Sequence, residues 1–361
     1  MNPPKVTMRQ IAELAGVSVM TVSLALRNHA RIRSDTRRRI QAIAERAGYR
    51  PHPYVSALMA TLKSSRKGEP GPAATLAFIY HFPRATLNSL AFMKTAYEGI
   101  RGRARQLGFG VDIFFRDETG ADAGHLDRVL KARGIRGVIL GPTQGVQTKL
   151  DYSLDWSSYA LATFGFSVRE PDFHRAASFT YHSVRFAYRE LWRRGYRRIG
   201  LVNTAMMHHR VDGNWRAGHY EAQMEHLGRV IPASVLMSDE TAEFLRWLKR
   251  FRPDAILCNG SAELGMLERN GYRVPQDIGL ATLSPLEPKH SAFFAGVDQR
   301  ADAIGAAAVD IVAEQLNNNA FGLPLVPKTV MIECTWREGE SLRQRKNEEG
   351  RMQNGKAKAE G

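Results

Sequence analysis

Hydroxyl and guanidinium side chains recur through the first forty residues at spacings suited to an anionic partner. Thr7, Thr21, Ser23 and Thr36 are placed to hydrogen-bond phosphate oxygens, contacts that position a protein on a nucleic acid without reading its sequence. Arg9, Arg27, Arg31 and Arg33 stand among them, each either reaching a phosphate or base edge or remaining solvated. Residues 1–67 hold 13 Lys or Arg against Glu13, Asp35 and Glu45, a balance of +10, whereas the whole chain carries +15. Charge so concentrated implies a polyanionic partner. No comparable set supports catalysis. His208-His209 is a pair on a loop-like stretch, without HExxH or a carboxylate at metal spacing. There is no Walker A sequence, GNWRAGHYE is not GxGxxG, and nothing fixes any Ser, His and Asp together. Neither an enzyme, a cofactor nor a metal site is expected.

The elements that must position these groups begin at Val6. Ile11, Ala12, Leu14 and Ala15 put apolar residues on one side of a short helix. Gly16 tolerates a left-handed turn and Ser18 caps a second helix, Val19–Arg27, with Val22, Ala25 and Leu26 on its inner side. Two short helices across a tight glycine turn make a helix-turn-helix, whose second helix enters a DNA major groove. The alternative is an ordinary helical hairpin, against which the basic surroundings and a third helix over 34–47 both speak. Ser34 is the expected N-cap of that helix, Ile40, Ile43, Ala44 and Ala47 its stripe, and Gly48 its stop. In the second helix Val19, Met20 and Leu24 are all apolar, so bidentate polar contacts to bases are missing there. They either touch thymine methyl groups or pack against neighbouring protein.

Three runs, VTMRQIAELAGVS, TVS at Thr21–Ser23 and SDTRRRIQAIAERAGYRP at Ser34–Pro51, follow one another without gaps. In order and spacing they resemble the DNA-binding domain of the LacI/GalR family of bacterial transcription regulators. Met8, Ser18, Tyr49 and His52 complete the contact set expected on DNA. The resemblance implies that Val55–Leu62 is a hinge helix lying in the minor groove, with Leu58 wedging a base step, a known way to kink DNA. Pro53, Tyr54 and Val55 depart from the family's usual residues, and the alternative is a plain interdomain linker. Lys63–Pro72 is linker-like in composition.

From Ala73 apolar runs alternate with helical patterns. Strands are expected at 75–80, 111–115, 137–141, 159–164, 197–203, 254–259, 277–283 and 329–336. Helices are expected at 90–107, 125–132, 184–194, 215–227, 242–251, 262–270 and 301–317. Such alternation demands parallel sheets covered by helices. The expected fold class is thus an all-α helix-turn-helix domain plus hinge, followed by an α/β core of two Rossmann-like subdomains. The words LWRRGYRRIGLVN, RAGHYEAQ, GYRVPQDIGL and DQRADAIGAAAV carry the family resemblance into this core, which implies a periplasmic-binding-protein-like architecture with a ligand cleft. The divisions expected are 1–50 for the DNA-binding domain, 51–72 for hinge and linker, and 73–340 for the core. Within the core the N-subdomain takes about 73–170 and 297–325, the C-subdomain about 171–296 and 326–340. Crossings are expected near 167–175, 291–297 and 322–328, and the polar stretch 341–361 should be a disordered tail.

Ligand-facing residues are expected at C-terminal strand ends, at His81, Phe82, Arg116, Thr143, Phe164, Asn203, Trp215 and Asn259. Trp215 stands where sugar- and purine-binding members of the family carry Arg, and Ser261 where they carry Asp, which makes a sugar ligand doubtful. Trp215 either stacks on a ligand ring or is plain core.

The 43% apolar and 24% charged composition is that of a globular protein. No run of 18 apolar residues exists, the N-terminus lacks a signal-peptide pattern, and Cys258 and Cys334 have no CxxC spacing. A cytoplasmic location without membrane contact is expected. The function expected is a sequence-specific repressor. It would bind double-stranded operator DNA of near-palindromic sequence as a homodimer, under control of a small-molecule effector. The rivals are a periplasmic-type binding protein and a non-specific DNA binder.

Overall fold

The computed structural model describes residues 8–26, 32–47, 74–115, 124–143, 149–150, 153–232, 234–236, 241–284 and 292–344. They fall in two compact units, the first holding the three helices before residue 73 and the second holding both sheets. Among the described residues no helix is long and apolar enough to cross a membrane.

The head consists of α1 (Met8–Ala15), α2 (Val19–Leu26) and α3 (Ser34–Arg46). Ile11, Ala12, Ala15, Val22, Ala25, Ile40 and Ala44 bury a small shared core, with Leu26 and Ile43 packed at its edge. Leu14 does not join it: it is 65% exposed, because no described element covers that flank of α1. Gly16 takes φ +63° at the turn, where a side chain would be strained. Ser18 Oγ accepts the Thr21 N–H at 3.1 Å and so caps α2. The expected cap at Ser34 shifts by one: Ser34 is already helical, and Arg33, with ψ 141°, holds the N-cap position without a side-chain bond.

The core is two six-stranded sheets. In the first lobe the order is β11–β5–β4–β3–β1–β2, all parallel, where β1 is Ala74–Tyr80, β2 Phe109–Phe115, β3 Gly137–Leu140, β4 Ala160–Phe164, β5 His174–Ser178 and β11 Thr329–Ile332. In the second lobe it is β12–β10–β9–β8–β6–β7, where β6 is Ile199–Thr204, β7 Ser234–Leu236, β8 Ala255–Cys258, β9 Gly279–Thr282, β10 Ala295–Asp298 and β12 Thr335–Arg337. Only the β10–β12 pair there is antiparallel. The helices are α4 (Ala91–Gln106), α5 (His125–Ala132), α6 (Thr180–Arg193), α7 (Ala205–Arg210), α8 (Asn214–Leu227), α9 (Thr241–Phe251), α10 (Ser261–Arg269) and α11 (Ala301–Asn318).

Three expectations change. The single closing strand over 329–336 is two strands on different sheets, β11 beside β5 and β12 beside β10. The chain therefore crosses between lobes after Ser178, after Asp298 and between Ile332 and Thr335, a few residues later than the sequence pattern suggests. Residues 174–178 and 329–332 belong to the first lobe, because β5 and β11 extend its sheet. Lastly, Ser341 and Leu342 are buried. Ser341 Oγ donates to Leu280 O at 2.7 Å and accepts the Ala295 N–H at 2.9 Å, so the core extends past 340.

Candidate functional site

On the head, the outward side of α2 presents Val19, 44% exposed, and Met20, 73% exposed, with Thr21, Ser23 and Leu24 half-buried behind them. Ser18 and Arg33 are exposed and Thr36 is half-buried. Met8 is half-buried against the head core, which gives it a packing role. Thr7, Arg27, Arg31, Tyr49, His52 and Leu58 lie outside the described residues, as does the side chain of Arg9. Two side chains of α3 fasten the motif. Arg39 donates to Ala15 O at 3.2 Å and Gln41 to Ala25 O at 3.1 Å, satisfying carbonyls at the ends of α1 and α2. Arg38 instead pairs with Asp35 at 3.2 Å in the open.

In the core, a cavity of about 660 Å³ lies between the lobes at the C-terminal ends of their strands. The first lobe contributes Phe82 beyond β1, Phe92 and Met93 of α4, Pro142 beyond β3, the segment Gly165–Ser167 beyond β4, and Ser178. The second contributes Thr204, Met206, Met207 and Arg210 around α7, Trp215 of α8, Asn259–Glu263 beyond β8, and Ser284 and Gln299.

Local sequence explains the placement. A Cβ at Gly218 would lie 2.5 Å from Tyr181 O, so only glycine lets α8 approach α6 this closely. Trp215, one turn before Gly218, is thereby 1% exposed. It packs in the second-lobe core and also lines the cavity, with its indole Nε1 lacking a partner among the described residues. Arg175 donates to Gly165 O at 3.1 Å and Val168 O at 3.0 Å, fixing the loop that carries Phe166. Asn259 Oδ1 accepts the Ser284 hydroxyl at 2.6 Å, joining two loops of the second lobe.

The electrostatics of the cavity are uneven. Arg210 donates to Thr143 O, across the cleft, at 3.2 Å, and its guanidinium lies 5.8 Å from the Phe82 ring centre. Desolvation pulls its pKa down, and no acidic neighbour among the described residues opposes this. Glu263 is the one carboxylate among the described lining residues. Its Oε2 accepts the Gly260 N–H at 3.1 Å, and burial pushes its pKa up despite backbone hydrogen bonds that lower it. Nearer the surface, Arg169 of the first lobe pairs with Asp212 of the second at 2.6 Å.

Of the residues expected in the cleft, Phe82, Trp215 and Asn259 line the cavity. His81, Thr143, Phe164 and Asn203 do not, and Arg116 lies outside the described residues. Phe164 is wholly buried, its ring 6.0 Å from Phe78 and 6.3 Å from Phe92. His81 Nδ1 is bonded to Gly141 O at 2.7 Å. After His81, Phe164 and Asn203 the next residue, Phe82, Gly165 or Thr204, lines the cavity instead, and beside Thr143 it is the preceding Pro142. Arg210, Met206 and Met207 were not legible, because 205–210 reads as a loop and is the six-residue helix α7, and Ser178 was not, because 174–178 does not read as a strand.

The chain thus combines a helix-turn-helix head with a two-lobed α/β core that has a cavity between its sheets. Residues 7–52 match the model of bacterial regulatory proteins of the lacI family, and residues 188–342 that of the periplasmic binding protein-like domain. The head thus carries a DNA-binding domain of the lacI type and the core a periplasmic binding protein-like domain, and the chain as a whole is similar to HTH-type transcriptional regulators. It is 25% identical over 338 residues to the HTH-type transcriptional regulator PtxS of Pseudomonas plecoglossicida, covering 87% of this chain and 90% of that one. To the HTH-type transcriptional regulator RafR of Escherichia coli it is 27% identical over 139 residues, 38% of this chain and 37% of RafR. Among solved structures, the transcriptional regulator CelR–cellobiose complex superposes with a TM-score of 0.58 at 20% identity, over 93% of this chain and all of that one. The lac repressor dimer bound to operator and the anti-inducer ONPF does so with a TM-score of 0.53 at 17% identity, over 94% and 100%.

Proposed function

We propose that the protein is a sequence-specific repressor that binds a near-palindromic operator as a homodimer and is controlled by a small molecule held between the lobes. The observation that carries this reading is the cavity itself, walled by both sheets and adjoining cross-lobe contacts of Arg210 with Thr143 and Arg169 with Asp212. A molecule bound there touches both lobes and biases the angle between them, which supplies the differential contact that allosteric control requires. The solved lac repressor structure, a dimer on operator, supports the dimeric arrangement. Division of labour follows the chain: 1–50 contacts the major groove, 51–72 couples head to core with Leu58 as minor-groove wedge, and the core senses the ligand. Binding to the chromosome places its work in the cytoplasm.

Selection of bound sequences from a random DNA pool, followed by binding titration at one salt concentration, tests the reading. The expected result is a two-fold-symmetric site bound at least 1,000-fold more tightly than competitor, roughly the lower end for specific binders. Affinity should fall steeply with salt, with a log–log slope of about −0.9 per phosphate neutralised. Equal affinity for all sequences would replace it with a non-specific binder.

A further inference from the structure

We infer that the cleft ligand is a carboxylate on a flat apolar body, with Arg210 holding the carboxylate. This rests on the reading of the cavity as an effector site and names the class of effector. Three donors border the cavity with capacity to spare. The Arg210 guanidinium has five N–H groups. One hydrogen bond, to Thr143 O, engages it, and no carboxylate pairs with it among the described residues. Trp215 Nε1 and Ser178 Oγ are both buried, and neither has a partner among the described residues. A buried donor left unmade is costly, so an acceptor brought by a ligand is favoured. Glu263, the lining acid, is engaged by the Gly260 N–H at the start of α10. The cavity therefore has an unneutralised cation and no free anion to match it among its described residues.

The walls specify the remainder of the molecule. Phe82, Phe92, Phe166 and Trp215 surround the space with rings, and Met206 and Met207 add polarisable side chains. Methionine adapts to irregular apolar shapes and makes favourable contacts with aromatic rings. A polyhydroxylated ligand would set its hydroxyls against these rings and methionines, whereas an aromatic acid sets a ring against rings and its charge against Arg210. Guanidinium is suited to a carboxylate because its planar fork matches two oxygens at once.

The test is isothermal titration of the full-length protein with benzoate, cinnamate and indole-3-acetate, against cinnamamide, cellobiose and glucose 6-phosphate. At least one aromatic carboxylate should bind, and cinnamamide should bind at least tenfold more weakly than cinnamate. Arg210→Gln should weaken carboxylate binding roughly 10- to 100-fold, the range for a charged hydrogen bond. Trp215→Phe keeps a ring, removes the Nε1 donor and should weaken it roughly threefold to tenfold. Unfolding temperatures of both variants show whether the fold is kept. Binding of none of the three acids, equal binding of cinnamate and cinnamamide, tighter binding of either sugar, or full affinity in a folded Arg210→Gln protein would each overturn the inference. Operator affinity measured with and without the bound acid separates the two readings. An acid that binds through Arg210 without altering operator affinity keeps the ligand class and removes the effector role.

Discussion

The side-chain amide of Gln41 donates to the carbonyl of Ala25 at 3.1 Å, so that the third helix of the head closes the end of the second. Arg39, two residues earlier, does the same for the first helix at Ala15. The outward face of α2 is therefore oriented by bonds from behind. Gln41→Met keeps the volume of the stem and removes the donor. It should lower head stability by about 1 kcal/mol and speed hydrogen exchange of the α2 amides, while the exchange of core amides stays unchanged. Unaltered α2 exchange would show that apolar packing alone orients the helix.

Met20 is 73% exposed on α2 and Val19 44%, and neither has a polar atom to offer a base. Met20→Ala should leave the unfolding temperature in place and weaken specific binding by about 1 kcal/mol, the lower end for loss of one base contact. Non-specific affinity should not move, since phosphate contacts are retained. Leu14→Ala, equally exposed on α1, is the comparison variant. Equal effects of both on specific binding would argue against a base contact by Met20.

Two glycines predict opposite outcomes in the same helix pair. A Cβ on Gly305 of α11 would lie 2.1 Å from Ala96 O of α4. A Cβ on Gly102 of α4 would meet nothing within 4 Å. Gly305→Ala should force the helices apart and cost about 2 kcal/mol. Gly102→Ala should stabilise the core by about 0.5–1 kcal/mol, through backbone entropy alone. Urea unfolding followed by circular dichroism reads both.

Glu190 and Arg194 meet at 2.7 Å inside the second lobe, and Arg194 also reaches Glu338 beyond β12 at 2.6 Å. Burial by itself raises the Glu190 pKa, but hydrogen bonds from Arg194 and Arg193 outweigh it and hold the carboxyl below its ordinary value. A lowered folded-state pKa means stability that is present above the unfolded-state carboxylate range and lost as pH falls through the folded value. Arg194→Met should therefore reduce stability most near neutral pH, by about 3 kcal/mol, as expected when a buried pair loses one partner. The difference from wild type should shrink on acidification. A difference independent of pH would assign the loss to packing of Arg194 over the Trp336 ring, 5.0 Å away.

The Arg169–Asp212 pair is about half exposed on both sides, so it contributes little to global stability. Its position across the lobes gives it leverage on the cleft. Asp212 has φ +52°, a conformation asparagine tolerates, so Asp212→Asn removes the charge without straining the backbone. Unfolding free energy should change by less than about 1 kcal/mol, and small-angle scattering should show a wider cleft. An unchanged scattering profile would remove the pair from the control of opening.

Much of this arrangement was legible because its signals are local. The glycine turn at Gly16, the cap at Ser18 and the stripe of Val22 and Ala25 all report on neighbours within a few residues. The long apolar runs of β1, β4 and β8 announce a parallel sheet in the same way. What escaped depends on distant partners. HRAAS at 174–178 has little strand character of its own and becomes β5 only between β4 and β11. Arg210 became visible as a cleft residue only once α7 was seen to follow β6, and Phe164, expected in the cleft, proved to be buried in an aromatic layer with Phe78 and Phe92. Strand ends locate a cleft from sequence to within a residue or two, which is the uncertainty that decides whether a side chain lines it.

The three crossings between lobes are short: Phe179 alone, Gln299–Arg300, and Glu333–Cys334. The first and third are laced together by the Phe179 N–H donating to Ile332 O at 2.9 Å. Two extended residues span only roughly 7 Å, so the strand ends they join have almost no freedom to separate or slide. The lobes are thus two jaws on a short axle, free to turn about it but not to part. An occupant of the cleft would therefore set the angle between the lobes by its width.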